Sequence, residues 1–239
     1  MGRAYEVRKA SIQKTGAAKA KLYSMYAREI YAAAKTGGIE PSSNASLKRL
    51  MEKAKKEQVP ADIIKRAIDK VGSGVDETYT SAIYELFGPG GSTLIVECLT
   101  DNVNRSVSSI RTVVNKCHIK MGAMGSVSYM YDHLAILSVK DMSEEEVMDA
   151  MIEKDVDVID IEKEEDQVVI SGDPSDLFAM KEALTAKKED VTFELDEITY
   201  LPKEKITITG EDLEIFEKTL AMLEDIEDVQ NVYHNVELS

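Results

Sequence analysis

The sequence predicts an α+β protein: an N-terminal three-helix domain followed by two small α/β domains, the last of them ferredoxin-like and inserted into the middle one. Three observations carry this. Residues 84–116 read as strand, tight turn, strand and capped helix. Residues 134–200 read as β-α-β-β-α-β. Residues 1–75 hold three short amphipathic helical stretches whose charge is opposite to that of the rest of the chain.

Residues 1–16 carry Arg3, Arg8, Lys9 and Lys14 with few large apolar groups, which predicts a poorly ordered or partner-dependent arm. From Ala17 to Lys35 the chain is Ala-rich and helix-prone, with Leu22, Tyr26, Ile30 and Ala33 on one face. Gly37-Gly38 and then Pro41 stop this helix. Tyr23, Tyr26 and Tyr31 read as packing residues with wet hydroxyls, not as base-stacking platforms.

A second helix follows Ser42-Ser43-Asn44, any of which can cap it. Leu47, Leu50, Met51 and Ala54 form its apolar face, and Lys48, Arg49, Lys53, Lys55 and Lys56 its other face. Pro60 opens a third helix, where a proline in the first turn loses no hydrogen bond. Ile64, Ala67, Ile68 and Val71 line its buried stripe, and Gly72-Ser73-Gly74 ends it. The short link Glu57–Pro60 would suit a helix-turn-helix, but a Pro-led helix without Asn, Gln or Arg near its start reads bases poorly.

In the central segment, Gly88-Pro89-Gly90-Gly91 is a turn between two strand-like runs, because Pro presets φ and Gly supplies φ > 0. Leu94, Val96 and Cys98 alternate with Thr93, Ile95 and Glu97 at strand period. Thr100 or Asp101 then caps a helix carrying Val103, Val107, Ile110 and Val114. Arg105 sits in the first turn against the helix dipole, which points to a salt bridge or an anion contact there. The glycine turn lacks a following Gly-Lys-Ser/Thr and precedes a strand, so it predicts no nucleotide site. After the Gly122–Gly125 loop, Ser126–Tyr131 alternates as a strand.

Within 134–200, strands are expected at Leu134–Val139, Val156–Ile161, Val168–Ile170 and Val191–Ile198, with helices opened by Ser143 and by Asp173-Pro174. Ile206 and Ile208 start a further strand, followed by a helix through Leu213, Phe216, Leu220 and Leu223 and a last strand at Val229–Val236. The expected domains are therefore 1–75, helical; 78–132 with 203–239, central α/β; and 134–200, inserted.

Charge divides the chain in the same place. Residues 1–75 hold 16 of the 29 Lys and Arg but only 7 of the 44 Asp and Glu, a balance of +9 that leaves −24 for residues 76–239. Such asymmetry points to a polyanion-binding part and an acidic remainder. The candidate contacts are Arg3, Arg8, Lys9, Lys14, Lys19, Lys21, Lys48, Arg49, Lys53, Lys55, Lys56 and Arg105.

Other chemistries find little support. His118, His133 and His234 are scattered and far from any cysteine pair, and no serine lies in Gly-x-Ser-x-Gly. Cys98 and Cys117 read as core thiols of a reducing cytosol. No apolar run approaches the ~18 residues of a membrane span, and Met1–Glu6 has no apolar core of a secretory signal. The expectation is a cytoplasmic, non-enzymatic nucleic-acid binder with no cofactor, metal, membrane or small-molecule substrate.

Several motifs also carry a family resemblance. Gly88-Pro89-Gly90-Gly91 followed by Leu99-Thr100-Asp101-Asn102-x-Asn104-Arg105, then Gly122-x-x-Gly125-Ser126-Val127-x-Tyr129-Met130 and Tyr200-Leu201-Pro202, resemble the YebC/PmpR family over essentially the whole chain. Glu29–Lys35 is similar to its YeeN-like branch. Two stretches depart from the family: its His-Ser-Lys-Trp is Arg3-Ala4-Tyr5-Glu6 here, and its Gly-Gly is His118-Ile119. The resemblance implies a helical domain followed by two α/β domains, and a DNA-binding regulator of transcription. Family members also described as translational activators, one of them mitochondrial, imply the alternative of a ribosome- or RNA-associated factor.

Overall fold

The computed structural model describes residues 2–4, 19–73 and 77–238. In chain order the elements are α1 (Lys19–Gly37), α2 (Ala45–Lys56), α3 (Ala61–Asp69), β1 (Thr80–Phe87), β2 (Thr93–Thr100), α4 (Val103–Lys116) and β3 (Lys120–Met121). They continue with β4 (Tyr131–Val139), α5 (Glu144–Glu153), β5 (Asp160–Glu164), β6 (Gln167–Gly172), α6 (Leu177–Lys187), β7 (Phe193–Pro202), α7 (Glu211–Glu224) and β8 (Val229–His234). Two compact units result, one from Ala17–Tyr129 with Glu204–Ser239, the other from Met130–Lys203 with the N-terminal residues.

Within the first unit, α1–α3 close around Tyr26, Ile30, Ala34, Leu47, Ala54, Val59, Ile64 and Ala67. Of the three possible caps for α2 the fold uses Asn44. Its side chain accepts from the Leu47 N–H at 3.0 Å and donates to the carbonyls of Ala33 and Gly38, so one residue starts α2 and seals the end of α1. The same unit holds a four-stranded antiparallel sheet of order β3-β1-β2-β8. α4 and α7 supply Ile110, Val113, Phe216 and Leu223 to a core with Leu86, Leu94, Val96 and Cys98. In the turn joining β1 to β2, Gly90 has φ 60° and Gly91 has φ 82°. A Cβ on Gly90 would lie 2.7 Å from the Ile208 side chain, so space as well as backbone conformation requires glycine there.

The second unit is the expected βαββαβ. Its order β5-β6-β4-β7 places the first and third strands at the centre, as in ferredoxin-like folds. α5 and α6 cover one face over Leu137, Val139, Ile170, Leu177 and Met180.

Four expectations are corrected. Ser126–Met130 is not a strand, and only Tyr131 opens β4: Glu85, buried on β1, accepts the N–H groups of Gly125, Val127 and Ser128, and backbone so engaged cannot join a ladder. The second strand of the inserted unit runs Asp160–Glu164, later than Val156–Ile161, because its hairpin turns at Glu165 in the left-handed region. Ile206 forms one bridge, to Val236, rather than a strand. The N-terminal arm holds no loose start at its described residues, since Ala4 is buried against Leu134, Ile136, Val169 and Leu195.

Candidate nucleic-acid interface

The outer face of α2 gathers five of the sequence-derived candidates. At about 100° per residue, Lys48, Arg49, Lys53, Lys55 and Lys56 occupy an arc of roughly 160°, opposite Leu47, Leu50, Met51 and Ala54. Lys48, Lys55 and Lys56 are exposed, while Arg49 and Lys53 are half-buried along their stems. Glu52 is the single carboxylate in that arc. Beside it, Met51, Lys55, Ala61, Ile64, Lys65, Ile68 and Asp69 line a shallow groove of about 250 Å3 between α2 and α3. α3 adds exposed Lys65 and Arg66, although Arg66 is paired with Asp62 one turn earlier. Asp62, two-thirds exposed at the start of α3, puts a carboxylate where a recognition helix would meet phosphate and base edges.

The remaining candidates go elsewhere. Arg3 donates to Asp160 at 2.7 Å and to the Ser171 hydroxyl at 2.9 Å, which ties it to β5 and β6. Arg8, Lys9 and Lys14 lie outside the described residues. Lys19 is exposed in the first turn of α1. Lys21 is half-buried, and burial lowers its pKa against the opposing pull of Glu224 and Asp225 at the end of α7.

Arg105 resolves into the salt bridge that its position suggested. Its guanidinium donates to both oxygens of Asp228, at 2.7 and 3.1 Å, and to Asp101 at 2.7 Å. These hydrogen bonds raise its pKa. Asp228, with 3% of its side chain exposed, also accepts from the Ser106 hydroxyl at 2.8 Å and faces Arg28 at 3.3 Å. Burial pushes the Asp228 carboxyl up, but the hydrogen bonds from Arg105, Ser106 and Thr100 outweigh it and hold the pKa below the ordinary value. Arg28 further donates to the carbonyls of Ser24 and Glu227. Arg28 and Asp228, 200 residues apart in sequence, thus join the helical layer to the first sheet. Residue types alone count Arg28 as one more positive charge. Only its spacing toward the apolar face of α1, two residues from Tyr26 and Ile30, hints at burial.

His133, His234 and the two cysteines have packing roles, while His118 is exposed. His133 stacks on Tyr200 at 4.1 Å, and His234 meets Phe216 edge-on at 5.1 Å. Cys98 and Cys117 are free and buried, and burial pushes the Cys98 thiol up to about 12, far from a reactive thiolate.

The first unit thus combines a cationic helix face with a buried ion cluster beside an α/β sheet. The chain belongs to the TACO1/YebC family: residues 3–74 match the TACO1/YebC protein N-terminal domain and residues 79–236 the TACO1/YebC second and third domain. It is 49% identical over 238 residues, covering 100% of this chain and 99% of the relative, to a probable transcriptional regulatory protein of Marinobacter nauticus. A relative of the same name from Vibrio campbellii is 48% identical over 238 residues, 100% of both chains. The crystal structure of a conserved hypothetical protein from Aquifex aeolicus superposes with a TM-score of 0.70 at 36% identity, covering 92% of this chain and 91% of that one.

Proposed function

We propose that this chain is a cytoplasmic DNA-binding regulator of gene expression whose helical domain, residues 1–75, grips the phosphate backbone with the outer face of α2. In this reading 78–132 with 203–239 is the body that carries the helical domain, and 134–200 is an acidic insert. The carrying observation is the cationic arc of α2, with exposed Lys48, Lys55 and Lys56 and a single carboxylate among them. The chemistry this face offers is counterion release, which is independent of sequence. The relatives' shared name agrees with a transcriptional role, and no described helix is long and apolar enough to cross a membrane.

Titrating two unrelated DNA duplexes across a range of salt tests this. With about 4–6 phosphates engaged, log K should fall with log salt at a slope near −4 to −5 on both. A preference above ~10³ for one duplex at physiological salt would overturn backbone-only recognition. One observation favours a second reading, a ribosome- or RNA-associated translation factor: the −24 balance of residues 76–239 suits a target presenting basic protein beside polyanion. Salt-sensitive co-sedimentation with ribosomes, together with weak duplex binding, would favour that reading over the first.

A further inference from the structure

Residues 102–131 carry Arg105, Arg111, Lys116 and Lys120 and not one Asp or Glu, within the part of the chain that holds 37 of its 44 carboxylates. The fold brings this stretch from Lys116 onward to one edge of the first sheet, while Arg111, about 140° from Lys116 around α4, lies on the other exposed flank of that helix. α4 ends at Lys116, and β3 then joins β1 as the edge strand, with Lys120 opposite Phe87. Arg111, Lys116, His118 and Lys120 are all exposed. No described carboxylate forms an ion pair with Arg111, Lys116 or Lys120, whereas Arg105 is engaged by Asp228.

The loop after β3 is built to be rigid. Glu85 is 5% exposed, and its carboxylate accepts the N–H groups of Gly125 at 2.7 Å, Ser128 at 3.0 Å and Val127. Burial raises the pKa of this carboxyl, but the three N–H donors outweigh burial and hold it below the ordinary value. The Gly122 N–H donates to the Glu85 carbonyl at 2.7 Å, and Gly125 sits at φ 85°. What this frame presents is apolar and open to solvent: Met124 is 94% exposed and Tyr129 63%. A buried charge is expensive to house, and here it fixes a loop whose two largest side chains stand mostly in solvent.

We propose that this edge is a second nucleic-acid surface, one that takes an unpaired strand, with Lys116 and Lys120 along its phosphates and Met124 and Tyr129 against base faces. Cations beside a fixed aromatic ring are what a single strand uses, since every base has a face to stack. A duplex keeps those faces inside its own stack and offers the loop only backbone. The proposal rests on the nucleic-acid reading above but not on α2, and the two fail separately.

The test uses the full-length protein and fluorescence anisotropy at low salt, with oligo(dT) and oligo(U) of about 15 nucleotides and a duplex of equal length. Replacing Lys116 and Lys120 together by Glu should weaken both strands by about tenfold or more and the duplex less than about threefold, with unchanged melting. Tyr129→Ala should weaken the strands about tenfold, while Tyr129→Phe keeps the affinity. Strand affinity within about twofold of wild type after the double reversal overturns the proposal, and so does equal loss on strand and duplex. The order of oligo(dT) and oligo(U) tells whether DNA or RNA is preferred. Replacing Lys53, Lys55 and Lys56 by Glu should lower duplex binding alone. If it does not, the α2 reading fails and the edge surface stands on its own result.

Discussion

Two strongly cationic regions of this chain meet opposite fates. On α2, five Lys and Arg share one face with a single carboxylate, and three of them are exposed. At the junction of the helical layer with the first sheet, Arg28 and Arg105 converge on Asp228, whose side chain is 3% exposed. In the first region Lys48, Lys55 and Lys56 remain exposed; the second is neutralised within the fold. A positive charge in the sequence therefore does not state its own role. The carboxylate that the fold brings to it decides.

The most damaging way to break this contrast is at Asp228. Asp228→Ala leaves the Arg28 guanidinium, 8% exposed, without its counter-charge and should cost about 3–5 kcal/mol, read from the denaturant midpoint. Duplex affinity per folded molecule should be unaltered. A loss of binding without a loss of stability would make the junction a contact surface instead.

Gly90→Val gives the scale of a lesion that involves no charge. Strain at φ 60° and the approach to Ile208 should together cost about 3 kcal/mol, whereas Gly91→Val, with open space around its Cβ position, should cost only about 1–2. Equal melting of the two variants would show that the Ile208 contact contributes nothing.

Glu85 sharpens the comparison, because backbone N–H groups rather than arginines hold it. Its folded pKa, like that of Asp228, is depressed. Both contributions are therefore complete above the unfolded values of 4.5 and 3.8, and each is lost as pH falls through the lower folded value. Glu85→Gln should lower stability at pH 7 by about 1–3 kcal/mol and flatten the decline below about pH 4.5. An acid limb identical to wild type contradicts this assignment.

The smallest effect on stability belongs to α2. Replacing Lys53, Lys55 and Lys56 by Glu should shift unfolding by no more than about 0.5 kcal/mol per site. The same change should cut the salt slope of duplex binding by about 3, leaving it near −2 for any sequence. A large stability loss would place these lysines in the fold and not at an interface.

Most of the architecture was readable before the structure. The α2 cap, the glycine turn and the ferredoxin-like order follow from local chemistry and periodicity, and these act over a few residues. What misread was long-range. Ser126–Tyr131 alternates like a strand, yet Glu85, about forty residues earlier, takes its amide groups. Arg3 belongs by composition to a binding arm, yet Asp160 and Ser171 claim it. Tyr129 gave no sequence signal, because an apolar residue in a strand-like run reads as core, and Met124 gave none from within the Gly122–Gly125 loop.

By itself the sequence determined most of the helices and strands, where the charge changes sign and which helix face is cationic. Each of these depends on neighbours within one or two turns of chain. Only the tertiary structure decided which charges remain available. Asp228 reaches Arg28 across 200 residues and Arg105 across 123, and such pairings are fixed by packing, not by spacing in the chain. Desolvation makes an unpaired buried charge intolerable, so the fold neutralises its interior ions and leaves to solvent those it has no need to bury.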